Sequence, residues 1–356
     1  MATAPTPSSA SAVHDVPVET AWPGVKVRTL DVWHFLAGGL GFVDVVPTPD
    51  GKYSLGATFV PHDHGDDEFR DVVLANRATH ELVLLRHLPS PRHQVLYGDA
   101  DDRWVVWVEA SLQPNFEDWQ LYAYDRQTRA VKLVASAAHA PDDRPVPTPN
   151  VQPRVDHGMA VWSAGTAEAP LGSHADTFIA NLDAGTVRVL APESLGAVIA
   201  WPTVIVARHV ASAVSGTRLV ADDLATAAET DLGIEGAGYY AIDGSSLAWI
   251  DDSLRAVLLR DLATGRDRVV VDYRSLGQTA PHLQFVYLSD RLVAWGQSGG
   301  AWTYDRKLET LVRLASVEPF TYVYLNGVAL EWLDGRRPGE PRTATVLRML
   351  ETTSLP

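Results

Sequence analysis

The chain of 356 residues contains no cysteine. Disulfide frameworks, thiolate metal sites and cysteine nucleophiles are thereby excluded. No apolar run approaches the roughly 18 residues needed to cross a bilayer. Residues 1–24 lack the basic and apolar regions of a secretory signal. Their Ala/Pro/Ser/Thr bias is that of a disordered tail, and a cytoplasmic location is expected. Basic residues are also scarce: 29 Lys and Arg stand against 44 Asp and Glu, a net charge of −15. A field of that sign repels phosphate backbones and anionic lipid surfaces, so neither nucleic acid nor a membrane is expected as a partner. The chain holds no P-loop, no His-Glu-x-x-His and no Gly-x-Ser-x-Gly element.

What the chain does hold is turn punctuation, with 26 Gly and 23 Pro between short apolar runs. One stretch, "LYAYDRQTRAVKLVA" (121–135), reads as strand, tight turn, strand, and its like returns along the chain. Asn76, Asp125, Asn181, Asp223, Asp261 and Asp305 each open such a turn, and a weaker echo falls around Arg348. Asp or Asn opens these turns by bonding its side chain to backbone two residues on. Five strands end in Trp upstream of a turn: Trp107, Trp162, Trp249, Trp295 and Trp332. The fourth unit has "HVASAV" instead. A further short strand precedes each Trp strand, as in "VQPRVDHG" and "GYYAIDGS".

Each unit therefore reads as four strands in about 45 residues, with no helical pattern between units. That is the signature of an all-β single β-propeller. Seven four-stranded blades are expected, over 38–87, 92–135, 150–191, 200–233, 237–272, 283–315 and 320–355. The domain is placed at 25–356, after the 1–24 tail. The last blade is poor in its final strand, and "VKVRTLDV" (25–32) is expected to supply it and close the ring, which removes exposed edges.

"PTPDGKYSLGATFV" (47–60) resembles the PDGK strand-turn-strand of TolB-like (WD40-like, PD40) propellers, and the Asp-x-x-Thr hairpins resemble that family's third and fourth strands. The resemblance implies a repeat protein that mostly binds proteins or ligands, with enzyme sites in the central funnel of some similar propellers. Prolyl-oligopeptidase-type activity is not implied, because no nucleophile elbow follows.

Candidate functional residues come from the inner strands. Counting four back from Asp156, Asp243, Ser289 and Asn326 gives Gln152, Tyr239, Phe285 and Tyr322; counting two back gives Arg154, Ala241, Tyr287 and Tyr324. One mouth is expected to be aromatic, with an Arg and a Gln, as small-molecule sites are. His93 and His282 precede inner strands of different blades and are candidate acid–base groups or ligands. The densest polar run, "PHDHGDDEF", offers His62, His64 and Asp66 for a divalent metal, the candidate cofactor.

Two functions are open at this level. One is a binding module presenting an aromatic funnel to a small molecule or protein, with Gln152, Phe285, Tyr287 and Tyr324 as its lining. The other is a funnel-sited enzyme (lyase, hydrolase or cyclase) using His93, His282, Arg154, Tyr239 and Tyr322.

Overall fold

A computed structural model of the chain describes residues 15–31, 39–62, 67–111, 118–138, 151–165, 175–210, 216–315, 323–334 and 346–356. They form seven antiparallel sheets, whose inner strands touch in succession until the seventh meets the first. The expected seven-bladed propeller is the fold.

The repeated turn works as its chemistry requires. Asp125 Oδ1 accepts from the backbone N–H of Gln127 at 2.9 Å, and Asp305 Oδ1 from that of Lys307 at 2.9 Å. Asn76 and Asp223 accept in the same way, and Asn181 and Asp261 accept from the N–H three residues on. Each turn closes on a residue four further on with positive φ: His80, Arg129, Gly185, Ala227, Gly265 and Glu309. Only two of these are glycine, so four hairpins carry a side chain in the left-handed region.

The Trp strands supply the packing between blades. Trp107, Trp162, Trp295 and Trp332 are at most 1% exposed and Trp249 is 5% exposed. Each stands fourth in its strand, with Val206 and Gly56 at the matching places in blades four and one. An aromatic of this size buries on the order of 200 Å² between facing sheets. Gly56 has no room for one: a Cβ there would lie 2.1 Å from the Val43 carbonyl oxygen and 2.5 Å from the Phe42 ring.

Four expectations shift. Blade four begins at its inner strand Ser194–Ala200, not at 200. Its second strand is Thr203–His209, so "HVASAV" is not the Trp-strand equivalent, and 211–215 lie outside the described residues. Arg348 sits in mid-strand opposite Trp332, and Glu351, paired with Ala329, takes the place of the turn Asp. No hairpin follows, because the outermost strand comes from the other end of the chain. Arg28–Leu30 lies antiparallel to Val346–Glu351, which is the ring closure expected from 25–32.

The tail boundary also moves. Residues 15–24 were expected to be disordered, yet Asp15–Pro17 adds a parallel fifth strand to blade six, and one helical turn follows at Val18–Ala21. Trp22 is the reason. It is 1% exposed and its Nε1 donates to Asp305 Oδ2 at 2.9 Å, in the sixth repeat turn.

Candidate functional site

Each inner strand ends at, or one residue before, the residue facing the start of the second strand: Thr48, Asp101, Asp156, Ala200, Asp243, Ser289 and Asn326. Counting back from these generates the channel in tiers. Two back are Val46, Asp99, Arg154, Val198, Ala241, Tyr287 and Tyr324; four back are Asp44, Tyr97, Gln152, Gly196, Tyr239 and Phe285, with Tyr322 outside the described residues.

The two mouths differ in chemistry. The mouth formed by the turn residues is a basin of about 860 Å³. Its walls carry Asp99, Asp101, Asp156, Asp183, Asp243 and Asp290, offset by Arg103, Arg154 and Arg291, with His157 beside them. Most of these acids are engaged in joining blades. Asp99 Oδ2 accepts from Val155 N at 2.9 Å, Asp101 Oδ2 from Gly158 N at 2.9 Å, and Asp156 Oδ2 from Trp201 N at 2.7 Å. Asn326 Nδ2 donates to the Pro47 and Ala100 carbonyls at 2.9 and 3.1 Å, tying blade seven to blades one and two. Burial holds Asp243 above the usual carboxylate range, helped by Asp290 and Asp156.

The opposite mouth is apolar. A lobe of about 500 Å³ is lined by Phe42, Phe59, Phe69, Tyr97, Phe285, Tyr287 and Tyr324, with Gln152, Asp44 and Asp67 as its amide and acidic groups. A second lobe of about 230 Å³ shares Gln152, Phe285 and Tyr287 with the first and adds Arg154, Gly196, Val198 and Tyr239. Gly196 and Val198, the tier residues of blade four, are what keep this lobe open.

Arg154 and Tyr287 line both the acidic basin and the smaller apolar lobe, so they form the waist. The Arg154 guanidinium lies 5.6 Å from the centroid of the Tyr287 ring, a cation–π distance. Tyr287 in turn meets Tyr324 at 4.7 Å between centroids. Burial would lower the Arg154 pKa; Asp99, then Tyr287 and Tyr324, outweigh it and keep the charge. Burial pushes Asp99 up to about 6, against the pull of Arg154. Burial likewise raises the hydroxyl pKa values of Tyr97, Tyr287 and Tyr324.

The structure therefore brings together Gln152, Arg154, Tyr239, Phe285, Tyr287 and Tyr324, all named from the sequence. Tyr239 and Phe285 meet at 5.2 Å between ring centroids. It does not bring the histidines to them. His93 lies between Ser90 and Asp118, with Nε2 3.5 Å from Asp118 Oδ2, and lines neither mouth. His282 is exposed at the foot of blade six and lines neither mouth. His62 Nε2 is 3.9 Å from Glu68 Oε1; His64 and Asp66 lie outside the described residues. Among the described residues, no three His, Asp or Glu side chains gather as metal ligands.

Sequence reasoning missed Tyr97 and Asp99. The signal was present, since counting back from Asp101 yields both; only the anchor for blade two was lacking. It also missed a buried trio at the ring closure. Arg77 pairs with Glu331, and both side chains are under 5% exposed. The carboxylate oxygens of Asp44 are buried beside them. Burial raises Asp44 to about 6 and Glu331 well above the usual range, against the pull of Arg77, and the neighbouring Asp44 raises Glu331 further. These residues come from blade one and blade seven and have no sequence spacing in common.

No protein-family model and no curated protein sequence matches the chain. Solved structures match it by fold. The propeller domain of the Trilobed protease from Pyrococcus furiosus aligns with a TM-score of 0.56 at 10% identity, over 87% of this chain and 95% of that one. An acylaminoacyl peptidase from Pyrococcus horikoshii gives 0.53 at 10% identity, over 87% of this chain and 52% of that one. An oligogalacturonate lyase from Vibrio parahaemolyticus gives 0.51 at 12% identity, over 92% and 97%. At such identities the likeness is one of fold, and the fold is the one implied by the resemblance to TolB-like propellers.

Proposed function

We propose that this propeller is a binding module that takes a small, largely apolar molecule into the aromatic mouth. The observation that carries this reading is the 500 Å³ lobe, in which seven aromatic side chains from several blades converge, with the Gln152 amide and the acids Asp44 and Asp67 as its charged or amide groups. Binding pockets have this composition: apolar walls for affinity and a few polar groups for orientation. The net charge of −15 speaks against nucleic acid as the occupant.

The enzyme reading keeps one specific support. Asp99, at about 6, stands next to Arg154 and the raised tyrosines, and a carboxyl poised there is suited to proton transfer near neutrality. The histidines His93 and His282 do not join it. The binding reading is therefore preferred.

N-phenyl-1-naphthylamine, a neutral fluorescent probe, tests it. Saturable one-to-one binding is expected, and Val43→Trp should abolish it, since Val43 is an exposed wall residue that a Trp would extend into the lobe. Unsaturable binding, or binding untouched by Val43→Trp, would overturn the reading.

A further inference from the structure

Arg154 differs from the arginines that pair closely with an acid. Arg103, Arg218, Arg260, Arg291 and Arg348 each hold a carboxylate at 2.9 Å or closer. Among the described residues no acid forms a direct ion pair with Arg154. Its nearest acid, Asp99, acts through space and gives Oδ2 to the Val155 N–H. The Tyr287 ring lies against it at 5.6 Å, and the Tyr287 hydroxyl favours its charged form. A guanidinium carries five N–H donors in a fork that fits a carboxylate, and one hydroxyl does not satisfy them.

That cation stands at the inner end of the 230 Å³ lobe, which joins the 500 Å³ lobe through Gln152, Phe285 and Tyr287. A burial cost is borne by any charge taken out of water without a close partner. Arg154 lines this cavity as well as the basin, and the cavity continues outward among aromatic side chains. We infer that the occupant is an apolar carboxylic acid, its carboxylate on Arg154 in the small lobe and its hydrocarbon or aromatic tail among Tyr97, Phe285 and Tyr324. Gln152, between the lobes, supplies an amide N–H to the same carboxylate. The smallness of Gly196 and Val198 leaves the carboxylate its space. The inference rests on the binding reading given above and adds the chemical class of the ligand.

The test pairs an acid with its neutral isostere. 4-Phenylbutanoate and 4-phenylbutanamide compete for N-phenyl-1-naphthylamine on the wild-type protein. The acid is expected to bind about tenfold more tightly or better, the scale of a charge-assisted hydrogen-bonded pair. Arg154→Gln should erase that preference while the amide still binds. Asp99→Asn, which removes the opposing charge, should tighten the acid by about threefold. Circular dichroism confirms that each variant is folded, and the acid–amide comparison needs no variant at all. Equal binding of acid and amide, with the probe still saturable, would overturn the carboxylate inference and leave the binding reading standing. Failure of the probe itself to bind would remove both.

Discussion

Tyr287 and Tyr324, from neighbouring blades, bring their rings to 4.7 Å between centroids on the channel axis, with Arg154 of a third blade over the face of Tyr287. The relationship makes the waist of the ring a buried aromatic contact in which hydroxyl groups cannot ionise cheaply. Burial raises both tyrosines, and raises Tyr97, Tyr122, Tyr240, Tyr273 and Tyr304 as well, Tyr273 to about 12. That is seven of 11 tyrosines. At pH values near the free tyrosine pKa of about 10, the folded protein should show less 295 nm tyrosinate absorbance than the denatured chain. Because the unfolded state loses these protons first, stability should fall as pH climbs past about 10. Equal absorbance in the two states would show that the waist is open to water.

Asn326 reaches two other blades through one amide group. Asn326→Asp keeps the shape but sets a carboxylate against the carbonyls of Pro47 and Ala100. Loss of both donors from a half-buried site should cost about 2–3 kcal/mol. Chemical denaturation would record it, and an unchanged midpoint would mean that the seam is held elsewhere.

Asp44 gives the ring closure a pH dependence. Its folded pKa is raised to about 6, so the native state holds a proton that the unfolded chain releases. The stability so gained is present below about pH 4 and is lost as pH rises through about 6. Asp44→Asn should match wild type near pH 4 and exceed it by roughly 2 kcal/mol near pH 8. Urea melts across that range decide the matter; a variant weaker than wild type at both ends would mean that Asp44 is a net stabilising ion.

Gly56 occupies the Trp place in blade one because the Val43 carbonyl and the Phe42 ring fill it. Gly56→Ala should destabilise by about 3 kcal/mol or prevent folding, since the obstacle is backbone. A well-folded Gly56→Ala protein with wild-type Tm would contradict this packing.

Ala227 closes the fourth repeat turn at φ 57°. A glycine adopts that conformation without the Cβ penalty, at some cost in unfolded-state entropy. Ala227→Gly should therefore stabilise by about 0.5 kcal/mol, seen as a rise in the denaturation midpoint. A fall would show that unfolded-state entropy outweighs the strain.

The sequence alone determined the fold. Asp125 and its kin specify turns by local hydrogen bonds, the five tryptophans mark the second strand in five of the seven units, and both signals need only neighbours in the chain. It also placed Gln152, Arg154, Tyr239, Phe285, Tyr287 and Tyr324 on inner strands, because side chains of a strand alternate with a period of two. Tertiary structure alone decided which of these meet. Trp22 joined blade six through Asp305, 283 residues away. Asp44, Arg77 and Glu331 met in one buried cluster at the closure, and His93 turned to Asp118 instead of the axis. Such encounters depend on how seven separately formed sheets are rotated and brought edge to edge, and no local periodicity in the chain encodes that geometry.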